Sequence, residues 1–216
     1  TADVFVNEKI ALMRALGADL EVIKSEDGKI TKELIGKMIQ RAEEISVEPN
    51  TFFTDQLNNS DVIEGFVPLG DEILQQLDGK VDAICDTSGT AGTIMGLAKS
   101  FKDKGVNSKI VALEPASSPI LSKGIKGPHN VEGVGLGFIP AIYNSKYVDD
   151  VIAIEESLAR QTCKELASKE GIFCGTSSGM NVAGAIKLSM DLGPESKVVA
   201  VACDTGLKYL SEGLFY

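Results

Sequence analysis

The sequence has a single histidine, His129, no Cys-x-x-Cys pair, no apolar run approaching the ~18 residues of a membrane span, and fewer basic than acidic side chains. Each scarcity excludes something. One histidine rules out most zinc sites and every histidine-based triad that cannot use that residue, so no metal centre is expected. The 21 basic against 31 acidic side chains leave a formal charge of -10, which repels nucleic acid and anionic membrane surfaces. Neither is an expected partner. No basic stretch leads into an apolar signal core at the N-terminus, and a cytoplasmic location is the expectation. The thiols Cys85, Cys163, Cys174 and Cys203 have no metal or redox spacing, and three of them end apolar runs that read as buried strands. They read as reduced, structural residues. The first residue is threonine, not methionine, which points to a processed, truncated or partial chain.

Hydrophobic residue types make up 44% of the chain, enough for one sizeable core or one core plus part of a smaller lobe. Val6, Ile10, Met13 and Leu16 recur at helical spacing up to a capping Gly17, and Leu20 and Val22 then alternate as in a strand. Leu34 to Ile45 repeats the helical pattern before the extended run Thr51 to Thr54. From Asp71 onward the rhythm is short β-branched strand, turn, helix. Strands are expected at Val81–Cys85, Lys109–Leu113, Val151–Ile154, Ile172–Cys174 and Val198–Cys203, with a helix over Ser157–Glu170 stopped by Gly171. The pattern predicts an α/β fold, a doubly wound parallel sheet. Residues 1–60 read as an incomplete small N-terminal αβ lobe and 61–216 as the large domain. Ligands of such sheets bind beyond the carboxyl ends of the strands, where the glycine- and hydroxyl-rich loops fall.

Gly89-Thr90-Ala91-Gly92-Thr93 lies between a strand and a helix. Backbone N–H groups and a positive helix end there can cradle a phosphate dianion, and the absence of a following Gly-Lys-Ser/Thr argues against a nucleoside triphosphate loop. A carboxylate introduced at Gly92 is expected to fill that cup. A tight turn with ordinary caps is the competing reading. Gly133-Val134-Gly135-Leu136-Gly137 departs from the dinucleotide fingerprint by one position, and Pro140 blocks a helix behind it. It reads either as a wall against a flat ligand or as a flexible loop. Asp204-Thr205-Gly206 offers a hydroxyl at the sheet's mouth, and a plain cap would use the same residues.

Taken together, Gly89 to Thr93, Gly127-Pro128-His129 through Gly133-Val134-Gly135 to Phe138-Ile139-Pro140, Gly175-Thr176-Ser177-Ser178-Gly179 and Asp204-Thr205-Gly206 resemble the cysteine synthase and cystathionine β-synthase family. Order and spacing both match, and Ala15-Leu16-Gly17-Ala18 and Gln56-Leu57-Asn58-Asn59 extend the likeness over nearly the whole chain. The resemblance implies a tryptophan synthase β-like fold, fold type II among pyridoxal-phosphate enzymes. It implies pyridoxal 5'-phosphate as cofactor, with its phosphate held by Gly89, Thr90, Ala91, Gly92 and Thr93 and its ring nitrogen faced by Thr205. Ala91 replaces a frequent glycine, so its methyl narrows the cup. Gln56, Gly133 and Gly135 are implied to contact the amino-acid substrate.

The implied reaction is β-replacement through an aminoacrylate, O-acetylserine plus sulfide giving L-cysteine. A cystathionine β-synthase-type enzyme and a non-catalytic, truncated phosphate- or cofactor-binding module are the alternatives. A homodimer and the C-terminal tail of serine acetyltransferase are implied partners. Departures from the family pattern fall at Pro68-Leu69-Gly70 and Thr87. The family's Schiff-base lysine, in Ser-x-Lys-Asp-Arg, has no counterpart here, so no catalytic residue is assigned and the chain alone is expected to be inactive. Ser100-Phe101-Lys102-Asp103-Lys104 imitates that motif, but Lys102 lies about nine residues beyond Thr93 on one helix, roughly 13 Å along its axis.

Overall fold

The computed structural model describes residues 1–5, 7–26, 28 and 31–216. The chain divides into two compact units. The first is Thr1–Asp55 with Leu207–Leu214 and Tyr216, and the second is Gln56–Gly206 with Phe215.

The first unit contains α1 (Asn7–Ala15) and α2 (Lys32–Ser46). Val6, expected to open α1, lies outside the described residues. Thr31 caps α2 by accepting the Leu34 N–H at 3.1 Å, which satisfies one of the donors a helix start leaves open. The strand expected at Leu20–Val22 is reduced to one parallel bridge between Ala2 and Ile23, and Thr51–Thr54 has no strand partner among the described residues. The tail folds back into this unit: Tyr209 and Leu214 are buried, Lys9 lies over the Tyr209 ring, and Ser211 N–H donates to Glu8.

The second unit is built on four parallel strands, β1 (Ala83–Thr87), β2 (Lys109–Pro115), β3 (Asp150–Ile154) and β4 (Val198–Ala200), in the order β3-β2-β1-β4. Side chains alternate between the two faces as a strand requires. Ile84, Ile110 and Ala112 pack with α3 (Asp61–Gln76) and α4 (Gly92–Asp103). Cys85, Val111 and Leu113 pack against α6 (Glu156–Glu165) and α7 (Thr176–Leu192). The sheet is thus covered on both sides, as expected. A short α5 (Ile120–Lys123) is capped by the buried Glu114 of β2, whose carboxylate accepts the Leu121 N–H at 2.7 Å and the Ser122 N–H at 3.3 Å. The predicted stop at Gly171 holds: it takes a left-handed conformation behind a π-helical turn, Leu166–Glu170.

Three expectations are corrected. The strand expected over Val198–Cys203 ends at Ala200, because side chains take the next ladder groups: Asn181 donates to the Val201 carbonyl and Ser178 Oγ accepts the Cys203 N–H. Ile172–Cys174 forms only an antiparallel bridge from Cys174 to Thr205, since the Ile172 N–H is still closing the preceding helix through Leu166 O. Cys203 is exposed, and the third buried thiol is Cys163 of α6.

The helix α3 is a new element. Its Val62, Ile63, Phe66, Leu69 and Ile73 keep a helical period that Gly65, Pro68 and Gly70 obscure in the sequence. Close approach explains two glycines of the facing helix. A Cβ at Gly92 would stand 2.2 Å from Val62 Cγ1, and one at Gly96 would stand 2.4 Å from Phe66 Cβ.

Candidate active site

The strand β1 is central and fully buried, and its carboxyl end delivers Ser88 to Ala91 into the start of α4. Ala91 caps the helix at φ +71°, a left-handed conformation that disfavours a Cβ by about 1–2 kcal/mol. Its methyl is buried in the core shared by α3 and α4. The side chain that should have narrowed the cup therefore packs inward. Gly92 behaves likewise: a side chain there enters the seam beside Val62 and Phe66, so a carboxylate at this position disrupts helix packing instead of filling the cup.

Gly89 is fixed by proximity. A Cβ on it would lie 2.1 Å from the Gly133 carbonyl oxygen, and the Gly135 N–H donates to the Ser88 carbonyl at 3.1 Å. The first loop and the glycine wall are therefore one assembly. Gly133, Gly135 and Gly137 all have positive φ, at +79°, +58° and +78°, which aligns the wall through backbone conformations few side chains allow. Buried Val131 and Val134 anchor it to the sheet's other face, and His129 Nε2 donates to the Gly135 carbonyl at 2.9 Å. The only histidine is a structural brace.

The third loop joins through α7. The Gly175 N–H donates to Asp204 O at 3.4 Å and the Gly206 N–H to Phe173 O at 3.1 Å, around the Cys174–Thr205 bridge. Thr205 is exposed at this edge, and Thr176, Ser177 and Ser178 are buried in the first turn of α7. Asn181, one turn further and wholly buried, connects the loops. Its Nδ2 donates to Asp86 Oδ1 at 2.7 Å and to the Val201 carbonyl at 2.9 Å, while its Oδ1 accepts the Thr87 N–H at 2.7 Å. Burial raises Asp86 from the usual carboxylate range to about 7, against the opposing pull of its bonds to Asn181 and Thr87. Burial also pushes the Cys85 thiol up to about 12, with the Asp86 charge adding to the effect.

The structure thus gathers Gly89, Thr90, Ala91, Gly92, Thr93, Gly133, Gly135 and Thr205 around the carboxyl edge of one sheet. Gln56 sits in an exposed turn within the same unit, with no hydrogen bond to these loops among the described residues. Lys102 is exposed near the end of α4, its ammonium 4.5 Å from the Tyr147 ring centroid. Asp86 and Asn181 were missed by sequence reasoning. The available signal was a polar residue interrupting an apolar stretch, a carboxylate closing Val81–Cys85 and an amide between Met180 and Val182.

A doubly wound parallel sheet with hydroxyl- and glycine-rich loops at its carboxyl edge defines an α/β protein built to hold an anionic ligand there. The family model for pyridoxal-phosphate dependent enzymes matches residues 2–204. A cysteine synthase of Staphylococcus aureus is 36% identical over 212 residues, 96% of this chain and 66% of that protein. The crystal structure of a cysteine synthase from Entamoeba histolytica superposes with a TM-score of 0.85 at 32% identity, covering 97% of this chain and 61% of the other. An O-acetylserine dependent cystathionine β-synthase from Helicobacter pylori gives 0.88 at 30% identity, covering 100% and 69%. The chain belongs to the pyridoxal-phosphate dependent enzyme family, in its fold type II group of cysteine synthases and cystathionine β-synthases. It spans about two thirds of the length of the curated relatives it matches.

The residues present fit that cofactor. Neither α4 nor α7 carries an acidic side chain in its first turn, so both positive helix ends are left open to an anion. Ser88 Oγ is buried without a hydrogen-bond partner among the described residues, at the base of the loop that would hold a phosphate. Gly89 leaves the backbone bare where the loop meets the wall.

Proposed function

We propose that the protein containing this chain is a cysteine synthase, replacing the acetoxy group of O-acetylserine with sulfide to give L-cysteine. The reading rests on one observation above all: the loop Ser88–Thr93, the glycine wall and the Thr205 loop are hydrogen-bonded into a single edge. The backbone N–H groups of Gly89 to Thr93, with the Thr90 and Thr93 hydroxyls, hold the cofactor phosphate. Thr205 presents a neutral hydroxyl to the ring nitrogen. A hydroxyl at this position, where a carboxylate would hold a proton on the ring, would leave a bound cofactor's nitrogen largely unprotonated and would favour β-elimination over transamination. Gly133 and Gly135 form the wall beside the substrate, and Gln56 is its carboxylate contact. Bound pyridoxal phosphate supplies the electron sink for loss of the β leaving group. The reading includes residues 1–60 as part of a small substrate lobe, residues 61–216 as the cofactor domain, a homodimer, a serine acetyltransferase tail as partner and a cytoplasmic location. Among the described residues, no helix is long and apolar enough to cross a membrane.

The lysine that would carry the cofactor covalently is not one of this chain's own in this reading. Lys99 is engaged by Asp103 at 2.7 Å and Lys102 by Tyr147, both on the helix leading away from the edge. The chain alone then binds pyridoxal phosphate reversibly and does not turn over. Titration with the cofactor, borohydride reduction and peptide mass mapping test this. Dialysable binding with no labelled lysine is expected; stoichiometric labelling of Lys102 contradicts it. For the whole protein, cysteine formation from O-acetylserine and sulfide is the assay. The similarity to the Helicobacter pylori enzyme favours a second reading, which prevails if homocysteine proves the better nucleophile.

A further inference from the structure

We infer that Asp86 and Asn181 are positioning residues of the cofactor site, a buried side-chain pair that holds the strand end leading to the glycine cup against the strand end leading to Thr205. The inference rests on the cofactor reading above. The Asn181 side chain has four polar partners within hydrogen-bonding reach: Asp86 Oδ1, the Thr87 N–H, the Val201 carbonyl and, at 3.4 Å, Cys203 Sγ. Two of them belong to the end of β1 and two to the segment that continues β4 toward Thr205. The same α7 also holds that segment through Ser178 and Cys203 N–H, at 2.8 Å. The β1–β4 pairing ends at Cys85 and Ala200. Beyond that point the distance between cup and Thr205 loop is set through these side chains, not through the ladder.

The pair carries a charge as well as a shape. Asp86 is 4% exposed and lies three residues before Gly89. The ionisable groups that bear on it are thiols, Cys85 on its own strand and Cys203 beyond β4, with Asp204 next in the chain. α7 presents the neutral Asn181 and β2 the apolar Ala112 opposite it. No basic side chain contributes to its shift among the described residues. The protonated form is favoured by burial, and a bound phosphate dianion favours it further. By linkage, the ionisation of Asp86 as pH rises through about 7 disfavours the phosphate.

Equilibrium binding of pyridoxal phosphate to the protein and to Asp86→Asn and Asn181→Ala, followed by cofactor fluorescence from pH 6 to 8.5, tests the pair. Urea unfolding of each variant runs alongside. The isosteric Asp86→Asn keeps the geometry and cannot ionise, so its affinity should exceed the parent's by about tenfold at pH 8.5 and converge with it at pH 6. Asn181→Ala should weaken binding by at least about tenfold at both ends. If that variant unfolds, Asp86→Asn still decides through its pH profile. Parallel profiles for the parent and Asp86→Asn overturn the inference and leave the cofactor site standing. Failure of the parent to bind pyridoxal phosphate at any pH overturns both.

Discussion

The seam between α3 and α4 and the carboxyl edge of the sheet both depend on glycine, for opposite reasons. In the seam, Gly70, Gly92 and Gly96 have ordinary helical backbones, and what matters is the missing Cβ: each would meet a heavy atom of the other helix at 2.2–2.5 Å. At the edge, a notional Cβ has open space at Gly133 and at Gly137 meets only Lys126 Cδ at 4.0 Å, an ordinary contact, and what matters is a positive φ. The seam is apolar and closes by contact. The edge is polar and held by hydrogen bonds that end on buried side chains. Substitution should therefore be felt as steric clash in one region, and as backbone strain or misplaced charge in the other.

The largest expected effect belongs to the edge and depends on pH. The native Asp86 pKa, raised from an ordinary value near 3.8 to about 7, means the folded state holds a proton that the unfolded state releases. Stability from this group is full below about pH 4 and falls as pH climbs through the native pKa. The loss is about 4 kcal/mol at most. Urea unfolding at pH 5 and pH 8 should show a drop for the parent that Asp86→Asn removes.

Next comes the seam. Gly96→Ala should destabilise by about 2–3 kcal/mol, because Phe66 Cβ and the Ile63 carbonyl cannot both retreat from the added methyl. A smaller loss, below about 0.5 kcal/mol by chemical denaturation, would mean that α3 slides freely on α4. Gly133→Ala meets no neighbour and should lose only about 1 kcal/mol, from the positive φ alone. The smallest effect is Ala91→Gly, where relief of the left-handed cap offsets the buried methyl to within roughly 0.5–1 kcal/mol in thermal unfolding. A large loss there would assign Ala91 to the core more firmly than to the cap.

The two regions also differ in how far the sequence discloses them. The short, continuous apolar runs through Ile84-Cys85 and Ile110-Val111, each followed by a turn and a helix, are what a strand buried on both faces leaves in a sequence, and the parallel sheet with helices on both sides could be read from them. The glycine loops were legible because their composition is rare outside tight ligand-facing turns. The helix α3 was not, since Pro68 and the neighbouring Gly65 and Gly70 are breakers by local rule, and only the facing α4 makes Gly70 useful. The direction of a missing side chain was likewise hidden: nothing local says that Gly92 faces α3 while Gly89 faces Gly133. Asn181 is long-range by nature, its partners lying 20 to 95 residues away along the chain.

That the cup and the wall form one cofactor site is the central claim, and Gly89 is where they touch. Pyridoxal phosphate binding to Gly89→Ala is the direct measurement. A Cβ placed 2.1 Å from the Gly133 oxygen must drive the loop and the wall apart, so the cofactor affinity should fall by at least about tenfold. Gly133→Ala, with open space, should keep most of it. An unchanged affinity in Gly89→Ala would contradict the account and move the phosphate away from this loop.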